Sequence, residues 1–225
     1  MSKKLFISHC SLLISLFLLS AHGQDDTRSQ KIIDDMVAQF KSYPSVSISF
    51  SANVSQRQDD SETEQEGQLW LKGNRYKLEI PDQVFYFDGS KIYHHLRKVK
   101  EVNVAKPDPD NDDEDFQLMN PQTWFHLTSK NFESNLLKES TQNGRKVYEI
   151  DLYPIRLKTT KYSRIRVMVE KTTLQIVYLH VFMIDETQYA ISFKPYNILP
   201  TALRDSFFVF NRLEHPDVEV IDLTF

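Results

Sequence analysis

From Gly67 to Tyr93 the chain alternates apolar and polar residues with a period of two. Leu69 and Leu71 are interleaved with Gln68, Trp70 and Lys72, and Tyr76, Leu78 and Ile80 with Arg75, Lys77 and Glu79. A period of two with one apolar face specifies a half-buried strand. Gly73-Asn74 and Asp88-Gly89 stand where tight hairpin turns need a positive φ. Three or four consecutive antiparallel strands are therefore predicted, and such a run excludes helical and βαβ architectures. Val84-Phe85-Tyr86-Phe87 is apolar on both faces. Both sides of that strand must be covered, or one must face a lid or a ligand.

The same period continues on either side. Val46, Ile48, Phe50, Ala52 and Val54 alternate with Ser and Asn as a first strand, and Gln56 to Glu66 is hydrophilic and reads as a long exposed turn. Further strands are predicted around residues 91–96, 98–104, 132–140, 146–153, 162–170, 174–183 and 187–194. Asn143-Gly144 is the strongest hairpin signal. Helical periodicity is confined to short pieces. Ile32, Ile33, Met36, Val37 and Phe40 fall on one face, with Thr27 and Gln30 spaced as a capping box and Pro44 closing the region. Asn120-Pro121 suits an N-cap followed by Pro at the first helical position, opening a short apolar helix with Trp124, Phe125 and Leu127. A third piece is predicted near Pro200–Leu203, ahead of Phe207-Phe208-Val209-Phe210. About eleven strands, three short helices and no internal repeat give a mainly β fold: an antiparallel sheet curled around something.

The N-terminus reads as a secretory leader. Lys3 and Lys4 precede a mostly apolar run from Leu5 to Leu19, and Ala21-His22-Gly23 places small residues for cleavage before Gln24. The run is too short and too abruptly followed by charge for a good membrane span. Gln24, where a lipoprotein would have Cys, argues against lipidation. Cys10 lies within the leader, so the mature chain has no cysteine to form a disulfide. Removing residues 1–23 from 225 leaves 202, enough for one domain with a sizeable core. The leader holds two of the 27 basic residues and none of the 31 acids, so the remainder carries a formal charge of −6. No basic face suggests nucleic acid.

Much of the acid is local. The run from Asp108 to Asp115 alternates Asp in the manner of a calcium loop, yet it lacks the required glycine, and Met119 stands where the closing Glu belongs. A solvated surface loop is the better reading. No metal site and no cofactor are expected. His94, His95, His126, His180 and His215 show no metal-binding spacing, and no nucleophile elbow, phosphate loop, dinucleotide fingerprint or Cys-x-x-Cys is present. A catalytic role has no motif behind it.

Several motifs together resemble the outer-membrane lipoprotein carrier family, LolA. They are the Gly67-Gln-Leu69-Trp-Leu71-Lys72 strand, the aromatic-bearing strand at Tyr76, Pro81 and the Asp88-Gly89 hairpin. Near the C-terminus Phe208-Val-Phe210, Pro216 and Val218-Glu-Val220-Ile-Asp222 fill the family's closing pattern of a Phe-x-Phe strand, a Pro and a short final strand. The resemblance implies an open antiparallel half-barrel whose concave side is covered by a helical lid, with an apolar cavity between them for lipoprotein acyl chains. It departs from the family at one place. Lys72-Gly73-Asn74 replaces Lys-Arg-Pro, so the arginine that latches the family's lid is missing. Arg75 is one step away, and the strand period sets it on the face opposite Tyr76.

The implied activity is non-enzymatic: a periplasmic, monomeric carrier that receives lipoproteins from an inner-membrane ABC-type release complex and passes them to an outer-membrane acceptor. Other readings from the same sequence are a lipid- or lipoprotein-sensing regulator, an acyl-chain carrier for a dedicated lipid or pigment pathway, and a structural envelope protein with a filled barrel. For the carrier, strand alternation assigns Phe50, Leu69, Leu71, Tyr76, Leu78, Ile80, Phe85 and Phe87 to the trough, and Trp124 and Phe125 to a lid over its mouth. Tyr76 is expected at the rim, partly exposed, where it would handle acyl chains during transfer.

Overall fold

A computed structural model of the chain describes residues 11–56, 61–107, 120–156 and 160–224. Residues 1–10 of the expected leader and the acidic run from Asp108 to Asp115 lie outside the described residues. Helix α1 (Ser11–Lys41) opens the chain. Then come β1 (Ser45–Gln56), β2 (Ser61–Lys72), β3 (Arg75–Ile80), β4 (Gln83–Phe87), β5 (Ile92–Leu96), β6 (Glu101–Ala105) and the four-residue α2 (Pro121–Trp124). The second half holds β7 (Phe132–Gln142), β8 (Arg145–Pro154), β9 (Tyr162–Glu170), β10 (Ile176–Met183), β11 (Gln188–Phe193), β12 (Asn197–Leu199), a 3-10 turn (Asp205–Phe208) and β13 (Glu219–Asp222).

All thirteen strands join one open sheet in the order β13-β6-β5-β4-β3-β2-β1-β11-β10-β9-β8-β7, with β12 pairing β1 off this path. The halves meet where β1 runs antiparallel to β11, Phe50 opposite Phe193. Two hairpin meanders are thereby fused into one half-barrel. Gly73 (φ 54°), Gly89 (φ 97°) and the Asn143-Gly144 pair (φ 48° and 78°) sit in the left-handed region at the turns the sequence marks.

Four expectations are corrected. The hydrophilic stretch before Gly67 is strand rather than turn from Ser61 onward, with Thr63 opposite Val54 and Gln65 opposite Ala52. A ladder needs backbone groups, not apolar side chains, and Thr63 to Glu66 are exposed. Thr27 lies inside α1, so no capping box forms there. The Phe207–Phe210 segment is a 3-10 turn followed by extended chain, not a sheet strand. Finally, β13 runs parallel to β6, which a period of two cannot distinguish from antiparallel.

Both faces of β4 are covered, as its double apolar pattern requires. Phe85 joins the large inner core together with Ile48, Phe50, Leu69, Leu78, Ile150, Val167 and Leu179. Val84 and Tyr86 face outward into a smaller core with Val102, Val104, Phe210 and Val218. The C-terminal segment forms that outer layer. Lys77 Nζ lies 5.2 to 5.3 Å from the ring centres of Trp70, Tyr86 and Phe207. On β8, the buried Asp151 accepts hydrogen bonds from Arg164 Nη1 (3.0 Å) and Arg166 Nε (2.8 Å) on β9. Arg166 stands directly opposite Asp151, so this pair ties down the β8–β9 register. Removing one partner of such a pair leaves a charge without compensation.

Gly67 is required by packing. It pairs with Phe50, and a Cβ at Gly67 would lie 2.3 Å from Phe50 Cζ. Gly67→Ala should therefore destabilise the fold by about 1–3 kcal/mol in urea unfolding. Adding Phe50→Leu should recover part of that loss, and additive effects would refute the contact.

His95 carries a pH expectation. It is 4% exposed, packs on Phe210 and His215 at 5.3 and 4.9 Å between ring centres, and its Nδ1 has no hydrogen-bond partner among the described residues. Burial above all, then His215 and Arg97, pushes its pKa below the ordinary 6.5, with Asp217 opposing. The unfolded chain takes up this proton first as pH falls. Stability should therefore be full above about pH 6.5 and decline below it, ahead of any carboxylate protonation. The urea midpoint should drop between about pH 7.5 and about pH 5.5, and His95→Leu should flatten that slope. His94 and His180, also shifted down mainly by burial, leave a remainder.

Candidate functional site

The inner face of the sheet is apolar across both halves, and two segments cover it. Helix α1 lays Ile32, Ile33, Met36 and Val37 on it, all buried. Ser29, fully buried, pins the helix to β7: its Oγ lies 2.8 Å from Ser134 Oγ and donates to the Ser134 carbonyl at 3.0 Å. Arg28, Glu139 and Lys171 add an exposed ion network beside this contact. The second cover is α2 and the chain after it. Asn120 caps α2, accepting from Gln122 N at 3.1 Å, and Pro121 holds the first position. This short turn drives two consecutive aromatics inward. Trp124 meets Phe50 and Phe193 at 5.7 and 6.0 Å between ring centres. Phe125 stacks on Phe40 of α1 at 4.3 Å and touches Phe193 and Tyr196. The Asp34 carboxylate accepts from Ser129 N (3.2 Å) and Ser129 Oγ (2.8 Å), tying the two covers together.

The residues assigned to the trough and lid do come together. Phe50, Leu69, Leu71, Tyr76, Leu78, Ile80, Phe85, Trp124 and Phe125 all belong to the inner core, and Phe87 is half-buried against it. Their packing, however, is mostly closed. Tyr76 is 2% exposed, with its ring 5.5 Å from Phe87, and burial pushes its hydroxyl well above the usual range. It is a core residue and not an exposed rim aromatic: it lies opposite both Leu71 and Phe87, with a sheet neighbour on either side.

The open space lies in the other half. A cavity of about 460 Å³ is bounded by the chain after α2, the end of β8, the start of β9 and the second half of β10. Its floor is Trp124, Leu127, Phe132, Ile165, Leu179 and Val181, all buried. Met183 and Tyr162 also line it, and burial raises the Tyr162 hydroxyl. Of the ten predicted residues, Trp124 lines this cavity. Leu71 lines a smaller one of about 240 Å³ beside Phe40, Tyr43 and His126. The β9 and β10 residues were legible as strand faces, but their alternation is the same in a filled barrel as in a hollow one. The mouth carries Lys130, Arg156 and Lys161, all exposed.

A larger space of about 710 Å³ lies on the outer side beneath the 3-10 turn. Its walls mix Lys77, Arg204, Glu214 and His215 with Tyr86, Phe207, Val209 and Phe210. Near it, the cations at the departure from the family motif are engaged. Lys72 Nζ donates to the Leu203 carbonyl and pairs with Asp205 Oδ1, both at 2.7 Å, and Arg75 reaches Asp205 Oδ2 at 3.5 Å. Arg75 thus holds the 3-10 turn rather than the inner cover. Among the described residues, no group of three His, Cys, Asp or Glu could hold a metal ion.

No protein-family model and no curated protein matches the chain. Solved structures do. A DUF1329 family protein from Desulfovibrio piger aligns with 82% of this chain and 97% of its own, at 11% identity and a TM-score of 0.50. An uncharacterised conserved protein from Thermus thermophilus aligns with 84% and 96%, at 7% identity and 0.55. A LolA superfamily protein from Nitrosomonas europaea aligns with 81% and 97%, at 12% identity and 0.42. At these identities the likeness is one of fold, and it rests on the first two. The fold itself is one open, largely antiparallel sheet with helical covers on its inner face.

Because Tyr76 is enclosed, Tyr76→Glu should cost several kcal/mol. Circular dichroism and urea unfolding should show a marginal or unfolded protein at neutral pH. A variant as stable as the wild type would return Tyr76 to the rim.

Proposed function

We propose that this chain is a periplasmic acyl-chain carrier, with residues 1–23 removed as a leader and residues 24–225 forming one carrier domain. The observation behind this reading is the inner cavity of about 460 Å³ with its floor of Leu, Ile, Val, Phe and Trp. A volume of ~300–1,000 Å³ is typical of ligand sites. Each acyl methylene kept from water contributes ~0.8 kcal/mol, so a long chain cannot cross an aqueous compartment bare. The sheet supplies a rigid wall. The cover from α2 to β7 is held by the Phe40–Phe125 stack and the Asp34–Ser129 hydrogen bonds, and moving it would widen the cavity.

In the finer form of this proposal the cargo is the acyl portion of lipoproteins. The carrier takes it from an inner-membrane ABC-type release complex and delivers it to an outer-membrane acceptor, working as a monomer and without a cofactor. Phe50, Leu69, Leu71, Leu78, Ile80, Phe85 and Phe87 form the wall against which the cover closes, and Trp124 reaches the cargo.

Protein purified from its own host should carry acyl-bearing molecules in native mass spectrometry. Met183→Trp, which fills the cavity from β10, should leave the fold intact and weaken acyl-chain binding roughly tenfold or more, a loss of about 1.4 kcal/mol in affinity. Wild-type protein that is always empty, or a folded Met183→Trp that loads normally, would overturn the carrier reading. Bound lipid without protein would overturn its lipoprotein form alone.

A further inference from the structure

One hydroxyl reaches the inner cavity because β9 breaks its own alternation. Ile165, Val167 and Val169 are buried on the inner face, so a strict period of two would send residue 162 outward. The ladder with β10 shifts at that point. Phe182 stands opposite Arg164 and Met183 opposite Tyr162, which leaves Ser163 as an extra residue. Ser163 Oγ donates to the Phe182 carbonyl across this bulge at 3.2 Å. A bulge re-aims the side chain beside it. Tyr162 is thereby turned inward, where it lines the cavity with its ring against Phe132, 6.3 Å between centres.

The Tyr162 hydroxyl has no hydrogen-bond partner among the described residues, and burial alone raises its pKa above the ordinary 10. It is therefore a neutral donor at physiological pH. A tyrosine hydroxyl withdrawn from water usually has a partner. The other polar side chains of the lining are provided for. Thr123, His126 and Thr160 bond to backbone carbonyls, and the Lys, Arg and Asn side chains are exposed to water. Among the described residues the one sealed side-chain polar atom without a partner is His95 Nδ1, so the Tyr162 hydroxyl keeps open surface that a ligand can reach.

Its depth is also specific. Lys161 is exposed, Tyr162 is half-buried and Ile165 is buried on the floor. An acyl chain has the same order along its length: a head in water, a carbonyl, then hydrocarbon. We infer that the Tyr162 hydroxyl donates a hydrogen bond to the carbonyl of the bound acyl group, so that the site selects ester- or amide-linked chains over ether-linked or bare hydrocarbon chains. The inference rests on the acyl-carrier reading but not on lipoproteins as the cargo. A site with a donor set for one acceptor discriminates against the analogue that lacks it, because the donor is then left unpaired.

The test compares lysophosphatidylcholine with its 1-O-alkyl analogue of equal chain length, which replaces the carbonyl oxygen by two hydrogens. Trp124 reports binding. The chain has two tryptophans, and Trp70 packs on Phe207 away from the cavity, so a Trp70→Phe background leaves Trp124 alone. Below their micelle concentrations both lipids should change its emission, with the ester bound roughly fivefold more tightly, the order of one neutral hydrogen bond. Tyr162→Phe keeps the ring on Phe132. It should bring the two affinities together, leave ether binding no weaker, and leave the urea midpoint of the ligand-free protein unchanged or higher. With a carbon-13 label at the ester carbonyl, the infrared stretch of the bound lipid should lie lower in the parent than in Tyr162→Phe.

Equal affinities in the parent, a preference for the ester that survives Tyr162→Phe, or a carbonyl stretch unmoved by the substitution would each sink the carbonyl contact and leave the carrier reading standing. A lower urea midpoint for Tyr162→Phe would show that the hydroxyl serves the fold, and would also refute the contact. No response to either lipid would remove the carrier reading as well.

Discussion

The inner face of an unclosed sheet is apolar along its whole width, and no strand of the sheet can cover it. A closed barrel folds such a face onto itself. Here the order ends at β13 on one side and β7 on the other, so the covering must come from elsewhere in the chain. The covers are α1 and the α2 segment, and their positions follow from a few contacts. Ser29 on Ser134 sets α1 against β7. Phe125 on Phe40 sets the second cover against the first, and Asp34 on Ser129 joins them by hydrogen bonds. The buried serines are possible because each hydroxyl is paired, since an unpaired one would be costly there.

The two halves of the sheet meet this requirement differently. In β2–β4 the inner face is filled by Leu69, Leu78, Tyr76 and Phe85, with Phe50 lying over Gly67. The outer face of β4–β6 is closed by Phe210 and Val218. With both faces packed, this half is a buttress. In β8–β10 the inner residues are mostly smaller: Ile165, Val167, Leu179, Val181. The chain after α2 meets them at Leu127 and Phe132, and space remains between Trp124, Phe132 and Met183. The outer face there is polar, organised by Asp151 with Arg164 and Arg166. The rigid half positions the cover, and the less filled half holds the space beneath it.

Hydrocarbon burial is non-directional and gives affinity in proportion to area. The α2 cover is fastened to α1 by one aromatic stack and two hydrogen bonds from a single serine, and to the sheet by the packing of Trp124 and Phe125 on Phe50 and Phe193.

Much of this architecture was legible in the residues. Period-two alternation placed the strands, Gly73-Asn74, Asp88-Gly89 and Asn143-Gly144 placed turns, and Val84–Phe87 announced a strand buried on both sides. The resemblance supplied the half-barrel, and Asn120-Pro121 located the cover with Trp124 and Phe125 inward. What the pattern could not convey was depth. Tyr76 alternates like a rim residue, yet Leu71 and Phe87 flank it on adjacent strands. Arg75 is a possible latch in sequence, yet Asp205, far along the chain, holds it on the outer face. The polar residues before Gly67 look like a turn, yet backbone pairing with β1 makes them strand. The cavity itself belongs to tertiary structure alone. Alternation states which side chains share a face, whereas a void depends on how closely an opposing segment approaches that face. That distance is set by contacts such as Phe40–Phe125, between residues remote in sequence.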